Sequence, residues 1–420
     1  MTIFKFVVFT ALLFFVCPIM AQDVENELAP PFNIKTVSFV QNSQNVVPVF
    51  KWGDVFEFQF DDLFGNEANY YYTITHCDYN WRPSNVAKSE YLAGMDDQRI
   101  QDYANSYTTL QLFSHYKLAI PNRFTTGLKL SGNYILKILN DEHEPVFSRK
   151  FMVYEDRVNV PIQVKRARQV KDINLKHNLD FSILPGEFAL QNPLSNIKIL
   201  IMQNGQLPTA IKNIKPMYTV GNDLIYKYDT ETQFWAGNEF LNFENKNIRA
   251  ATNNVAYMDT NGGVYNVHLL PNKPRGNSPY TFFPDINGNY KVTNINSTNP
   301  ELEADYSWVF FNLDSSGFTD GKDVYINGMF NNYALTPDNK MDYNEQTKRF
   351  EKAIMLKQGF TNYQYVLADK KGKIDYENAL DGNFFQTENN YFVLVYYREN
   401  GQRFDRIIGS GTASSVDIIN

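Results

Sequence analysis

The chain is 420 residues long, carries 39 Lys and Arg against 46 Asp and Glu, and is 15% aromatic, with 33 Phe, 27 Tyr and 4 Trp. That aromatic load argues against disorder, because so many rings bury enough apolar area to fold, and the composition as a whole excludes collagen and coiled coil. The acidic balance argues against a general nucleic-acid binder, which needs a basic face, and the length predicts two to four domains at roughly 150 residues each.

Residues 1–21 read as a cleaved secretory signal peptide. Lys5 supplies the positive start, Phe6 to Val16 form the apolar run, Pro18 breaks it and Ala21 is the small residue before the cut. The run is too short for a comfortable membrane span of about 20 residues. Cleavage removes Cys17 and leaves Cys77 alone, so no internal disulfide is expected. No later stretch reaches about 18 apolar residues, so no transmembrane segment of its own is expected, and the exported product is expected beyond the inner membrane.

Beyond the leader the pattern is strands and turns. Phe56, Phe58 and Phe60 share one face; Tyr70, Tyr72 and Ile74 oppose Tyr71, Thr73 and Thr75. Tyr134, Leu136 and Ile138 alternate with Ile135, Lys137 and Leu139, and Phe147, Phe151 and Val153 share a face. Leu179, Phe181 and Ile183 follow, then Ile197, Ile199 and Ile201. Each set predicts a half-buried strand. Asn-Gly pairs at 204–205, 261–262, 287–288, 327–328 and 400–401 predict tight turns, since both residues tolerate positive φ. Met95 to Tyr103 is expected to form a short helix or turn, and no long amphipathic stripe is present.

The expected fold is all-β: tandem β-sandwich domains of immunoglobulin-like or early-set-like type. Polar interruptions at 155–161 and 294–305 predict an N-terminal sandwich over 22–156, a middle β-rich domain over 157–300 and a C-terminal early-set-like sandwich over 301–420.

Catalytic signatures are missing from the sequence: there is no Gly-x-Ser-x-Gly, His-Glu-x-x-His, P-loop or dinucleotide fingerprint. No catalytic residue, cofactor, metal or small-molecule substrate is expected. His76, Cys77 and Asp78 with His115 are the best metal candidates, but Cys77 would face away from His76 and Asp78 on one strand, and no second ligand pair supports them. The densest aromatic segment is Tyr70 to Tyr91. Within it Asp78 and Asn80 suit a structured corner, while Tyr79, Trp81 and Arg82 are residue types enriched at interface anchors. Tyr79, Trp81, Arg82, Tyr91 and Tyr103 are the candidate binding residues.

The string His76-Cys77-Asp78-Tyr79-Asn80-Trp81-Arg82-Pro83-Ser84 resembles the signature of the plug-protein family of the type IX secretion system. Further strings match in order: Glu90-Tyr91-Leu92-Ala93-Gly94, Ile100-Gln101-Asp102-Tyr103, Ser131-Gly132-Asn133-Tyr134, Ala236-Gly237-Asn238-Glu239-Phe240, Asp285-Ile286-Asn287-Gly288 and Val393-Leu394-Val395-Tyr396-Tyr397-Arg398. The resemblance implies a non-enzymatic role. Such a protein would close the periplasmic mouth of the giant outer-membrane β-barrel translocon while the cargo-collecting partner is absent.

The alternative is carbohydrate binding. Residues 323–333 and 359–366 look like an early-set glycogen-binding module, with Tyr333 where that module places a stacking Trp.

Overall fold

The structure is a computed structural model that describes residues 24–314 and 319–418. The expected signal peptide lies outside the described residues. Among them no helix is long and apolar enough to cross a membrane. The chain forms tandem β-sandwiches, and its α-helices are single turns, Lys88–Tyr91, Pro193–Asn196 and Pro300–Glu303.

In the first sandwich one sheet runs in the order Gln44–Asn45, Ile34–Gln41, Phe56–Asp62, Ser114–Ile120, Asp102–Asn105. The facing sheet runs Val49–Lys51, Pro145–Tyr154, Gly132–Leu139, Tyr71–Cys77, Gln98–Arg99. The alternating phenylalanines meet between them: Phe39, Phe50, Phe56, Phe58, Phe147 and Phe151 form a single buried cluster. Phe50 and Phe56 stack at 3.9 Å. Met95 to Tyr103 is not helical. It supplies the two short edge strands at Gln98–Arg99 and Asp102–Asn105, because each finds a ladder partner in a preformed neighbour.

The second sandwich pairs Ile162–Arg166, Lys176–Ile183, Asp223–Tyr226 and Tyr218–Val220 in one sheet. The other is Ile211–Lys212, Ile197–Gln203, Asn390–Tyr397, Arg406–Ser414. The third sandwich lies between, from Leu241–Glu244 to Gly359–Ala368.

This topology corrects the linear division at 300. Residues 294–305 are a loop inside the third sandwich, between Tyr290–Val292 and Tyr306–Asp314. The C-terminal hairpin belongs to the second sandwich, where Ile197–Gln203 pairs residue for residue with Tyr391 to Tyr397. The reason is core completion: Tyr391, Val393, Val395 and Ile408 pack on Ile197, Ile199 and Ile201. They widen the apolar face that Leu179, Phe181 and Tyr226 of the opposite sheet cover.

Three strands, two of them predicted as half-buried, are covered on both faces. Gly132–Leu139, Ile197–Gln203 and Asn390–Tyr397 bury their alternate residues too. The outer faces meet: Cys77, Ile135 and Met152 of the first sandwich pack against Leu200, Met202, Leu394 and Tyr396 of the second. A near-continuous apolar run such as Val393 to Tyr397 is the sequence trace of such double cover.

Candidate interaction site

The aromatic string forms a corner. After Cys77 the Asp78 carboxylate accepts from the Asn80 and Arg82 amides at 2.8 and 3.0 Å, and Trp81 takes a left-handed φ of 63°. His76 is locked beneath it: Nδ1 lies 2.8 Å from Ser84 Oγ and Nε2 lies 3.1 Å from the Ser131 carbonyl. A carbonyl only accepts, so Nε2 carries the proton. Burial pushes the His76 pKa down to about 4 and keeps the ring neutral. Gly132 permits this approach, since a Cβ there would stand 2.4 Å from His76 Nε2.

The corner faces inward, which corrects the expectation of a docking surface at its aromatics. Tyr79 and Trp81 are each only 4% exposed. The Tyr79 hydroxyl donates to the Ile199 carbonyl at 2.7 Å and accepts from the Asn213 amide at 3.1 Å. Its own amide donates to Asp405 at 2.9 Å, and its ring meets Tyr396 edge-on at 4.8 Å. Trp81 lies in the same cluster with Lys150 Nζ 4.6 Å above its ring. Both anchor the first sandwich on the second, because a chain of several domains offers such residues an internal interface before an external one. Tyr91 is buried in the first core, its hydroxyl on the Ile74 carbonyl. Arg82 is exposed, and Tyr103 is half-buried against Tyr116. These two are the candidate residues that keep surface.

The residues weighed as a metal set are dispersed. Cys77 sits in the apolar cluster between sandwiches, and burial pushes its thiol up to about 12. His115 pairs with Asp61 at 2.5 Å on another sheet. Among the described residues no group of three His, Cys, Asp or Glu side chains has metal-holding geometry. Tyr333 is buried at 7% exposure with its hydroxyl toward the Asn287 carbonyl, so it offers no face for a sugar.

The first and third sandwiches are joined by ions. Lys357 donates to Asp61 at 2.6 Å, the Tyr306 hydroxyl donates to the same oxygen at 2.6 Å, and His115 takes the other oxygen. Lys357 and His115 hold the Asp61 carboxyl below its usual range against the opposing effect of burial. Nearby, Lys117 pairs with Glu301, and the Asp305 carboxylate accepts the Leu110 and Gln111 amides. The second and third sandwiches share the paired connectors, where Asn389 donates to the Ala236 carbonyl at 2.8 Å and Asn383 accepts the Gly237 amide.

The surface signal lies elsewhere. Phe64 is 69% and Leu112 59% exposed. Their loops touch, since Gln111 donates to the Leu63 carbonyl and a Cβ on Gly65 would meet Leu112. Tyr107 and Leu110 are exposed on the same loop. A second exposed group is Phe282, Phe283 and Ile286. Sequence reasoning missed both. The available signal was apolar residues in the polar, turn-rich segments that border the strands.

A family model described as the first domain of the type 9 secretion system plug protein matches residues 34–155, which is the first sandwich. The crystal structure of a hypothetical protein from Parabacteroides merdae is 30% identical to this chain, with a TM-score of 0.88 over 94% of this chain and 100% of that one. The native conformation of E. coli alpha-2-macroglobulin aligns at 8% identity over 92% of this chain and 27% of that one, with a TM-score of 0.17 that carries no inference. No curated protein matches.

Proposed function

We propose, from the match of residues 34–155 to the first domain of the type 9 secretion system plug protein, that this chain is a member of that family and a periplasmic stopper for the outer-membrane β-barrel translocon, acting by docking and without chemistry. The observation that supports this reading is mechanical. Two interfaces are clamped, the first sandwich to the second through Tyr79 and the first to the third through Asp61, while the chain passes between the second and third through two connectors held together by Asn389 on the Ala236 carbonyl. A stopper must keep its shape against a wide pore, and two interfaces together with a doubled connector oppose hinge motion at any single linker.

Docking is assigned to exposed apolar side chains, with Phe64 and Leu112 as the leading pair and Arg82 and Tyr103 as polar and aromatic supplements. Exposed apolar clusters of this kind mark interaction sites, and a few such anchors dominate interface energy. Release then needs only a competitor for the same surface.

The test uses a tagged full-length chain and its deletion strain. Pull-down from solubilised envelopes should retain the barrel, and deletion should admit large dyes or antibiotics. Phe64→Ser with Leu112→Ser should lower retention while the melting temperature stays within a few degrees. Unchanged permeability together with no barrel in the pull-down would overturn the proposal.

A further inference from the structure

A cavity of about 260 Å³ lies between the first and third sandwiches. It exceeds the engineered apolar cavity of about 150 Å³ that accepts benzene in another protein. Its walls combine an apolar side, including Ile34, Phe330 and Ile354, with three cations, Lys35, Arg149 and Lys357. Glu27, Ala29 and Pro30 close one flank.

The hydrogen-bond account of this cavity is unbalanced. Arg149 offers five N–H donors. It uses one, from Nη1 to the carbonyl of neighbouring Ser148 at 2.9 Å, and meets no carboxylate within ion-pair distance among the described residues. Lys35 likewise has no ion pair there; its ammonium lies 4.6 Å above the Phe32 ring. The acceptors are already engaged. Glu27 takes the Lys150 amide on one oxygen and Asn332 on the other, each at 2.6 Å. Lys357, also on the wall, is matched by Asp61. Asp338 is the remaining carboxylate on the wall, and it acts on Lys35 without reaching ion-pair distance. The result is a half-apolar cavity rich in unused donors and poor in free acceptors.

We propose that this cavity binds a small amphipathic carboxylate, its head on Arg149 and Lys35 and its hydrocarbon body against the apolar wall. A carboxylate supplies acceptors only and suits a guanidinium in two-point contact. An enclosed guanidinium without a counter-ion is costly, and a bound anion removes that cost. Burial pushes both Lys35 and Arg149 down from their ordinary values against the opposing charges of Asp338 and Glu27, neither of which reaches ion-pair distance.

The experiment is calorimetric titration of the full chain with octanoate, octanol and octylamine. Octanoate should bind, with octanol and octylamine at least about tenfold weaker, as one charge-assisted contact is worth. Arg149→Met should weaken octanoate about tenfold and leave octanol unchanged. Lys35→Met gives a second reading should Arg149→Met not fold, with a loss in the same direction. Equal binding of octanoate and octanol, octanoate affinity unchanged in the folded variants, or no octanoate binding up to its solubility would each overturn the proposal.

Discussion

His76 and Cys77 are neighbours in sequence yet project to opposite sides of the strand Tyr71–Cys77, and their chemistry follows their surroundings. His76 has partners for both ring nitrogens, whereas Cys77 enters an apolar cluster. With its pKa pushed up to about 12, the Cys77 thiol should resist a thiol-reactive disulfide reagent at pH 8 in native protein and react fully in denaturant. Rapid native labelling would contradict that burial. Glu239 is the other residue whose surroundings set its behaviour. It is buried, it accepts from Tyr280 and the Glu388 amide, its second oxygen has no partner, and burial raises it to about 7. The folded carboxyl therefore takes its proton near pH 7 and the unfolded one near 4.5, so this residue adds stability as pH falls between those values. Glu239→Gln should stabilise the protein at pH 8 more than at pH 5, by about 2–3 kcal/mol in denaturant melts. His76 and His177, both pushed down to about 4 by burial, act in the opposite sense and cost stability as pH falls from 6.5.

At the level of elements, the C-terminal hairpin carries the clearest consequence. Asn390–Tyr397 is a central strand of the second sandwich, bonded to Ile197–Gln203 and to Arg406–Ser414. Truncation after residue 389 removes both strands and should abolish folding of the second sandwich as well as its contact with the first. The third sandwich behaves differently because it leaves and returns at adjacent points, with Asn389 on the Ala236 carbonyl at 2.8 Å. Joining 236 to 389 through a short glycine-serine linker should give a soluble protein with a cooperative melt. A molten product would show instead that the second sandwich needs the third. Strand existence was legible in period-two alternation at Phe56 to Phe60 and Leu179 to Ile183. Pairing across 190 residues was not, because ladder partners are chosen by three-dimensional fit rather than by proximity in the chain.

For the molecule as a whole, the junction of the first and third sandwiches depends on charges held out of water. Lys357 and Asp61 are almost completely buried, with side-chain exposures of 2% and 0%. Removing one partner strands the other. Lys357→Met should therefore cost about 3–5 kcal/mol, and adding Asp61→Asn should restore part of that loss. Simple addition of the two single effects in equilibrium unfolding would show the pair to be uncoupled. The same kind of burial keeps Tyr79 and Trp81 out of solvent. Trp, Tyr and Arg mark interfaces of either kind, internal or external, and composition does not distinguish them.

Sequence alone determined the class of the fold, the positions of many strands, the inward-facing phenylalanines and the family resemblance, since alternation and turn chemistry are local. Tertiary structure decided that the third sandwich interrupts the second, that Tyr79 and Trp81 hold two sandwiches together, and that Phe64 and Leu112 remain in solvent. Those outcomes depend on which faces meet. An acidic, aromatic-rich chain of 420 residues holds many apolar faces, and only their mutual packing fixes which are spent on the interior and which are left for a partner.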